Sequence, residues 1–367
     1  MDAIDRRLFC KGLASLAASG YAGLRTCGMT GQILDEAKKW FKDAQYGMMV
    51  HWGLYSLLAG EWRGRRLPHK IIGEWIQQYY RIPNDEYGRL ATAFNPIYFD
   101  ADEWVQLARD AGMKYLVFTS KHHDGFAMFR SKASRFNVVD ATPFGRDVVE
   151  ELAEACRKHG VRLGLYYSQD LDWHERDGGG YHLGKTWCGK SAYWANNWDY
   201  PDAESKDYSR YFESKVVPQV QEILTQYGDL CLIWFDIGLT LSKDQANRLY
   251  EMVRKIQPGC LINSRIGCGK CDYTSAEDNR LPADDQSGML FETPATLNDT
   301  WGYKSCDNNW KTPEEVRRIR EYLRERGANY LLNVGPDALG RIPAPAASAL
   351  RDAALQEYKQ QNKGENS

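Results

Sequence analysis

No stretch of this chain reaches the roughly 18 consecutive apolar residues that a membrane-spanning helix needs. An excess of one charge is missing too. Lys and Arg number 47, Asp and Glu 49, and the net charge is −2. That argues against a nucleic-acid-binding protein, which shows a basic patch or a high pI. Neither GxGxxG nor GxxxxGK[ST] occurs, so an open sheet built around a phosphate loop has no support. HxH and HExxH are also absent. Histidine itself is scarce, with seven in 367 residues, yet His122 and His123 stand side by side at the end of an apolar run, in "FTSKHHDGFAMFRSK".

Aromatic residues are abundant, with 12 Trp and 22 Tyr. Such rings fill large cores, and they also line carbohydrate sites, where the C–H face of a sugar lies flat on a ring. Nine cysteines include Cys268 and Cys271 in "CGKC". A lone CxxC can be a disulfide, half a metal site or coincidence, and no second pair at zinc-finger spacing follows. The N-terminal "DRRLFCKGLASLAASGYAGL" sets Arg6-Arg7 before a short, mildly apolar run. Residues 1–30 therefore read as an export signal of the twin-arginine type, with a periplasmic or extracellular destination in a bacterium. The other reading is the start of a basic amphipathic helix.

From residue 31 to 363 one pattern repeats. An amphipathic helix ends in Gly, and a short apolar run follows: "ADEWVQLARDAG" then "MKYLVFTSK", "RDVVEELAEACRKHG" then "VRLGLYYS". With "YGMMVHWG", "CDYTSAED" and "MLFETPATL" the candidate strands number eight. Near-continuous apolar runs suit parallel strands buried on both faces. The fold class is α/β, a (β/α)₈-like TIM barrel that is irregular in its second half, where the link between the sixth and seventh strands is too short for a helix.

Chemistry in such a barrel collects at the C-terminal strand ends. Here those ends carry His51, the pair His122 and His123, Tyr166, Asp236, Arg265, and Glu277 with Asp278. Each alone could cap a turn or meet water. Together they would converge on one pocket. Asp236, directly after Leu-Ile-Trp-Phe, is costly to bury unless used or paired. Histidines with carboxylates can bind a metal, but adjacent residues on a strand face opposite ways, so His122 and His123 share one site only if the strand end bends. Glycoside hydrolysis instead needs two carboxyl groups, with the other polar residues reading hydroxyls.

The blocks "YGMMVHWGLYS", "KHHDGFAMFRSKASRFNVVDATPFGRDVV", "LGLYYSQDLDW", "LIWFDIG" and "NYLLNVGPDALGRIP" resemble, in order from about residue 32 to 345, the α-L-fucosidases of glycoside hydrolase family twenty-nine. The resemblance implies a retaining exo-glycosidase without metal or cofactor, acting on a fucosylated oligosaccharide or glycoconjugate. It implies that Asp236 is the nucleophile and that His51, His122, His123 and Tyr166 contact the sugar. It implies that Glu74 and Trp75, in "GEW", close over the sugar, and that Arg265 lies beside the nucleophile. The acid/base has two candidates by the same likeness, Glu277 in "DYTSAED", which is favoured, and Glu292 in "LFETPATL".

The chain departs from the family at Phe291, in place of the usual Trp, and at Ile237, where many members have Gly. No C-terminal β-sandwich is expected, and a second copy of the chain or a larger glycan would then cover the barrel flank. Two other readings stand beside this one: a metal-dependent barrel hydrolase, and a fucose-binding protein without turnover.

Overall fold

A computed structural model of the chain describes residues 30–181 and 194–364, with side chains to 359. The export signal read at 1–30 lies outside them except for Thr30. A helix at 30–44 leads into the first strand. The eight strands are β1 (Tyr46–Val50), β2 (Tyr115–Lys121), β3 (Arg162–Tyr167), β4 (Leu232–Phe235), β5 (Leu261–Ile262), β6 (Thr274–Ser275), β7 (Phe291–Thr296) and β8 (Ala328–Val334). They form one sheet in the order β5-β4-β3-β2-β1-β8-β7-β6, every pairing parallel. The sheet curls until its two edges meet. Asn263 bridges to Tyr273, and the Asp272 N–H donates to the Ile262 carbonyl at 2.8 Å.

Six principal helices pack outside: α1 (Ala101–Asp110), α2 (Val148–His159), α3 (Val217–Gln226), α4 (Lys243–Ile256), α5 (Pro313–Glu325) and α6 (Ala344–Gly364). Their starts are written in the sequence. Asp100 and Asp147 accept N–H bonds from the first turns of α1 and α2. Ser242 with Gln245, and Thr312 with Glu315, close capping boxes on α4 and α5. The irregular second half is as expected. The β6–β7 link has no helix, and the β5–β6 link holds only a 3₁₀ turn, Ser264–Ile266.

The two cores follow from the period of two along each strand. Leu116, Phe118, Leu163, Leu165, Ile233 and Phe235 face the helices. Met49, Tyr115, Val117, Tyr166, Leu232, Trp234 and Leu331 face the barrel axis. Counting on by two from Met49 reaches His51, and from Leu232 and Trp234 reaches Asp236. The same count puts Glu292, Asn329 and Asn333 inside. Among the described residues all six cysteines are free, Cys268 and Cys271 included. None of the described helices is long and apolar enough to cross a membrane.

Candidate active site

Asp236 sits at the mouth of the barrel axis, 8% exposed. Its two oxygens are held by three donors. The Tyr166 hydroxyl reaches Oδ2 at 2.9 Å, Arg265 Nη1 reaches Oδ1 at 3.1 Å, and the Ile237 N–H reaches Oδ1 at 2.9 Å. Behind it, the Asp236 N–H donates to Gln169 Oε1, and the Gln169 amide holds the Arg265 carbonyl. Tyr166 stacks on Trp234 with centroids 5.5 Å apart, and the Arg265 guanidinium lies 4.7 Å over the Trp234 ring. The nucleophile candidate is therefore clamped from both flanks by groups that share one aromatic floor.

The adjacent histidines reach one site because β2 bends. Its register with β3 slips between Thr119 and Lys121, leaving Ser120 as an extra residue, which is a bulge. The chain then turns tightly, with the Gly125 N–H bonded to the His122 carbonyl. Gly125 is required there: at φ +79° it lies so close to Asp172 that an added Cβ would fall 2.2 Å from Oδ1. The two rings end 4.1 Å apart. His122 stacks on Tyr166, and His123 brings Nε2 to 3.6 Å from Asp236 Oδ2.

All three site histidines are buried, and burial lowers their pKa values. His51 is held down to about 4, and His122 and His123 lie well below the ordinary value. They are neutral at pH 7, so each offers one lone pair. Asn333 donates its amide to the Trp301 carbonyl, so its oxygen takes the His51 Nδ1 proton at 2.7 Å and leaves Nε2 as the acceptor. Ser168 donates to the Leu171 carbonyl, so its oxygen takes the His123 Nδ1 proton, and Nε2 faces Asp236 as an acceptor. A neutral imidazole nitrogen of this kind can accept a hydrogen bond from a hydroxyl group. Among the described residues no group of three His, Cys, Asp or Glu side chains is placed to hold a metal ion.

Glu74 lies in the 3₁₀ turn Gly73–Trp75, almost fully buried, and accepts the Gly302 N–H at 2.8 Å. Burial pushes its pKa up to about 8, so it is a proton-bearing donor at pH 7. Trp75 meets His123 edge to face at 5.3 Å, and Trp173 and Trp194 flank it.

The two acid candidates fall elsewhere than the motif likeness implies. The Glu277 carboxylate is more than half exposed and pairs with Arg280 at 2.8 Å. Glu292 lies beneath the site, fully buried, taking Trp234 Nε1–H at 2.9 Å and the Tyr115 hydroxyl at 2.8 Å. It supports the floor instead of facing the pocket. The carboxylate in the pocket wall is Asp278, 2.5 Å from Arg265 Nη2. Sequence reasoning placed it at a strand end but gave it no role. Trp301, which completes the wall 5.1 Å from His51, carried no strand-end signal because it lies in the loop after β7.

A small cavity of about 30 Å³ lies between Met49, His51, Tyr166, Asp236, Arg265 and Asp278. A parallel barrel with two carboxylates on one arginine and neutral imidazoles at its C-terminal mouth has the makeup of a glycoside hydrolase. The comparisons narrow the class. The chain belongs to the alpha-L-fucosidase family, whose profile matches residues 29–360. Tissue alpha-L-fucosidase of Homo sapiens is 29% identical over 322 residues, 83% of this chain. The chain spans 64% of that relative's length, and a similar share of other animal members. Among solved structures, alpha-L-fucosidase AlfC from Lactobacillus casei with the product alpha-L-fucose is 52% identical. It superposes with a TM-score of 0.83, covering 88% of this chain and 98% of that one. A variant of AlfC solved with Fuca(1,6)GlcNAc is also 52% identical, with a TM-score of 0.82 and 88% and 99% covered.

Proposed function

We propose that the chain is a retaining exo-α-L-fucosidase in which Asp236 is the nucleophile and Asp278 the acid/base. The observation that carries this reading is Arg265. One guanidinium holds Asp236 on one terminal nitrogen and Asp278 on the other. Burial alone would lower the arginine's pKa, but the two carboxylates outweigh it and its pKa stands above the ordinary value. Retention needs two carboxyls about 5–5.5 Å apart, one on each side of the scissile bond. A shared guanidinium keeps them neighbours without contact.

The cavity has room for only about two waters, so a pyranose enters by moving a wall. Asp278 is the exposed partner of Arg265, at 44% against 19%, and is the side chain free to swing. Swinging off Arg265 brings the Asp278 carboxyl, carrying a proton, to the leaving oxygen. The proton then passes to the leaving oxygen as Asp236 attacks the anomeric carbon. Asp278, now the base, takes a proton from the water that releases fucose. Tyr166 and Arg265 keep the carboxylate of Asp236 aimed, His51, His122 and His123 accept sugar hydroxyls, and Glu74 donates.

The AlfC complex supports an α1,6-linked N-acetylglucosamine as leaving group. The Arg6-Arg7 leader supports export in folded form. To test the nucleophile, Asp236→Gly is assayed on an aryl α-L-fucoside. Turnover falls by at least about 10³-fold, and azide, filling the space, restores part of it as β-fucosyl azide. Near-normal turnover without azide would remove Asp236 from the role. Fucose binding by the unaltered protein with no turnover of any fucoside would mark a binding protein instead.

A further inference from the structure

Beside the sugar pocket lies a second, larger cavity of about 440 Å³, within the size range of small-molecule sites. Three barrel connections build it. The loop after β4 gives Ile237 and Leu239, the β5–β6 link gives Ser264 and Cys268, and the end of β6 gives Glu277. Asp236 and Arg265 belong to the walls of both cavities, so the two are continuous at the reacting centre. One side of the groove is apolar and the other ends in a carboxylate.

Ile237 is the residue that calls for explanation. Its φ is +70°, a left-handed conformation that a β-branched side chain rarely adopts. Such strain persists where the surroundings enforce it, and it clusters at functional sites. Here the enforcement is visible. Gly238 follows at φ +65°, with its Cα packed so that an added Cβ would fall 2.6 Å from the Arg265 carbonyl. The left-handed turn aims the Ile237 N–H at Asp236. Glycine would supply the same turn without the left-handed strain. The isoleucine side chain therefore has a use of its own, and it is half-buried in the wall of the groove.

Glu277 stands across from it. The backbone that carries it is fixed, since Arg265 Nη2 bonds the Ala276 carbonyl at 2.7 Å. Among the described residues its carboxylate pairs only with the exposed Arg280, and it is open to a hydroxyl or amide N–H. The next residue is Asp278, so a group protonated by Asp278 departs past this stretch of β6.

We infer that this groove is the leaving-group subsite, taking one pyranose with its C–H face on Ile237 and Leu239 and a hydroxyl or amide N–H on Glu277. The inference rests on the fucosidase reading above. It makes Ile237 and Glu277 determinants of which aglycone is released, not of fucose recognition.

The test compares kcat/KM on Fucα1,6GlcNAc, whose second ring would fill the groove, with kcat/KM on 4-nitrophenyl α-L-fucoside, and adds product inhibition by fucose. For Glu277→Gln the disaccharide value falls by about tenfold, mainly through KM, while aryl fucoside turnover and fucose inhibition stay within about twofold. For Ile237→Gly, which keeps the turn, the ratio of the two kcat/KM values falls by about tenfold whatever happens to each alone. Parallel changes on both substrates in both variants would overturn the subsite and leave the fucosidase reading standing. Failure of the unaltered enzyme to hydrolyse either substrate would overturn both.

Discussion

At the scale of single residues, the assignment of the acid turns on where three carboxyls point. Asp278 lies in the wall of the small pocket on Arg265, Glu277 lines the neighbouring groove beside Arg280, and Glu292 props Trp234 from below. The need for an acid grows as the leaving group becomes poorer. Asp278→Ala should therefore lose at least about 100-fold on a natural oligosaccharide and far less on an activated aryl fucoside, with fucosyl-enzyme accumulating and azide speeding its release. Glu292→Ala should depress both substrates together, because it unseats the ring under Tyr166 and Arg265. Steady-state rates across a leaving-group series check this, and a steep leaving-group dependence in Glu292→Ala with none in Asp278→Ala would exchange the roles. The nucleophile candidate was legible in the sequence because an Asp directly after Leu-Ile-Trp-Phe has few other reasons to be there. Asp278 was not, since Glu277 and Asp278 are adjacent acids after a two-residue strand. No period is long enough there to say which one turns inward.

At the scale of elements, the eight strands were readable because burial on both faces demands apolar runs, and Gly-terminated amphipathic helices separate most of them. What could not be read was how a strand ends. The slip at Ser120 in β2, which lets His122 and His123 share one site, depends on pairing with β3 and leaves no local mark. The loop after β4 is similar, because the left-handed pair Ile237 and Gly238 is imposed by Arg265 and Gly267 packing against it. Gly238→Ala puts a methyl group against the Arg265 carbonyl in a conformation that disfavours it. The expected outcome is a loss of about 1–3 kcal/mol in stability, with a further loss of activity as Ile237 and Arg265 shift around Asp236. Urea denaturation at constant m-value measures the first. An unchanged midpoint would mean that the loop relaxes freely and that the turn is not enforced.

At the scale of the whole molecule, the neutral site sets how stability responds to pH. The two halves of the curve have opposite signs. Below the ordinary histidine pKa, near 6.5, the unfolded chain takes up protons that the buried His51 refuses until about pH 4. Stability therefore falls as pH drops through that window, and His122 and His123 act in the same direction. Glu74 works the other way. Its folded pKa of about 8 exceeds the ordinary value of 4.5, so the folded state keeps a proton that the unfolded chain has lost. Its contribution is complete below about pH 4.5 and is lost as pH rises towards 8. Glu292, raised to about 7 by burial, adds to the same slope. The shift at Glu74 alone is worth on the order of a few kcal/mol. Glu74→Gln, neutral at every pH and nearly the same shape, should remove much of the decline between pH 5 and 8 while leaving the acid limb in place. Urea midpoints measured at intervals across that range, for the wild type and this variant, give the comparison. An alkaline slope equal in both would show that Glu74 ionises freely in the folded protein and is no proton donor to the sugar at neutral pH.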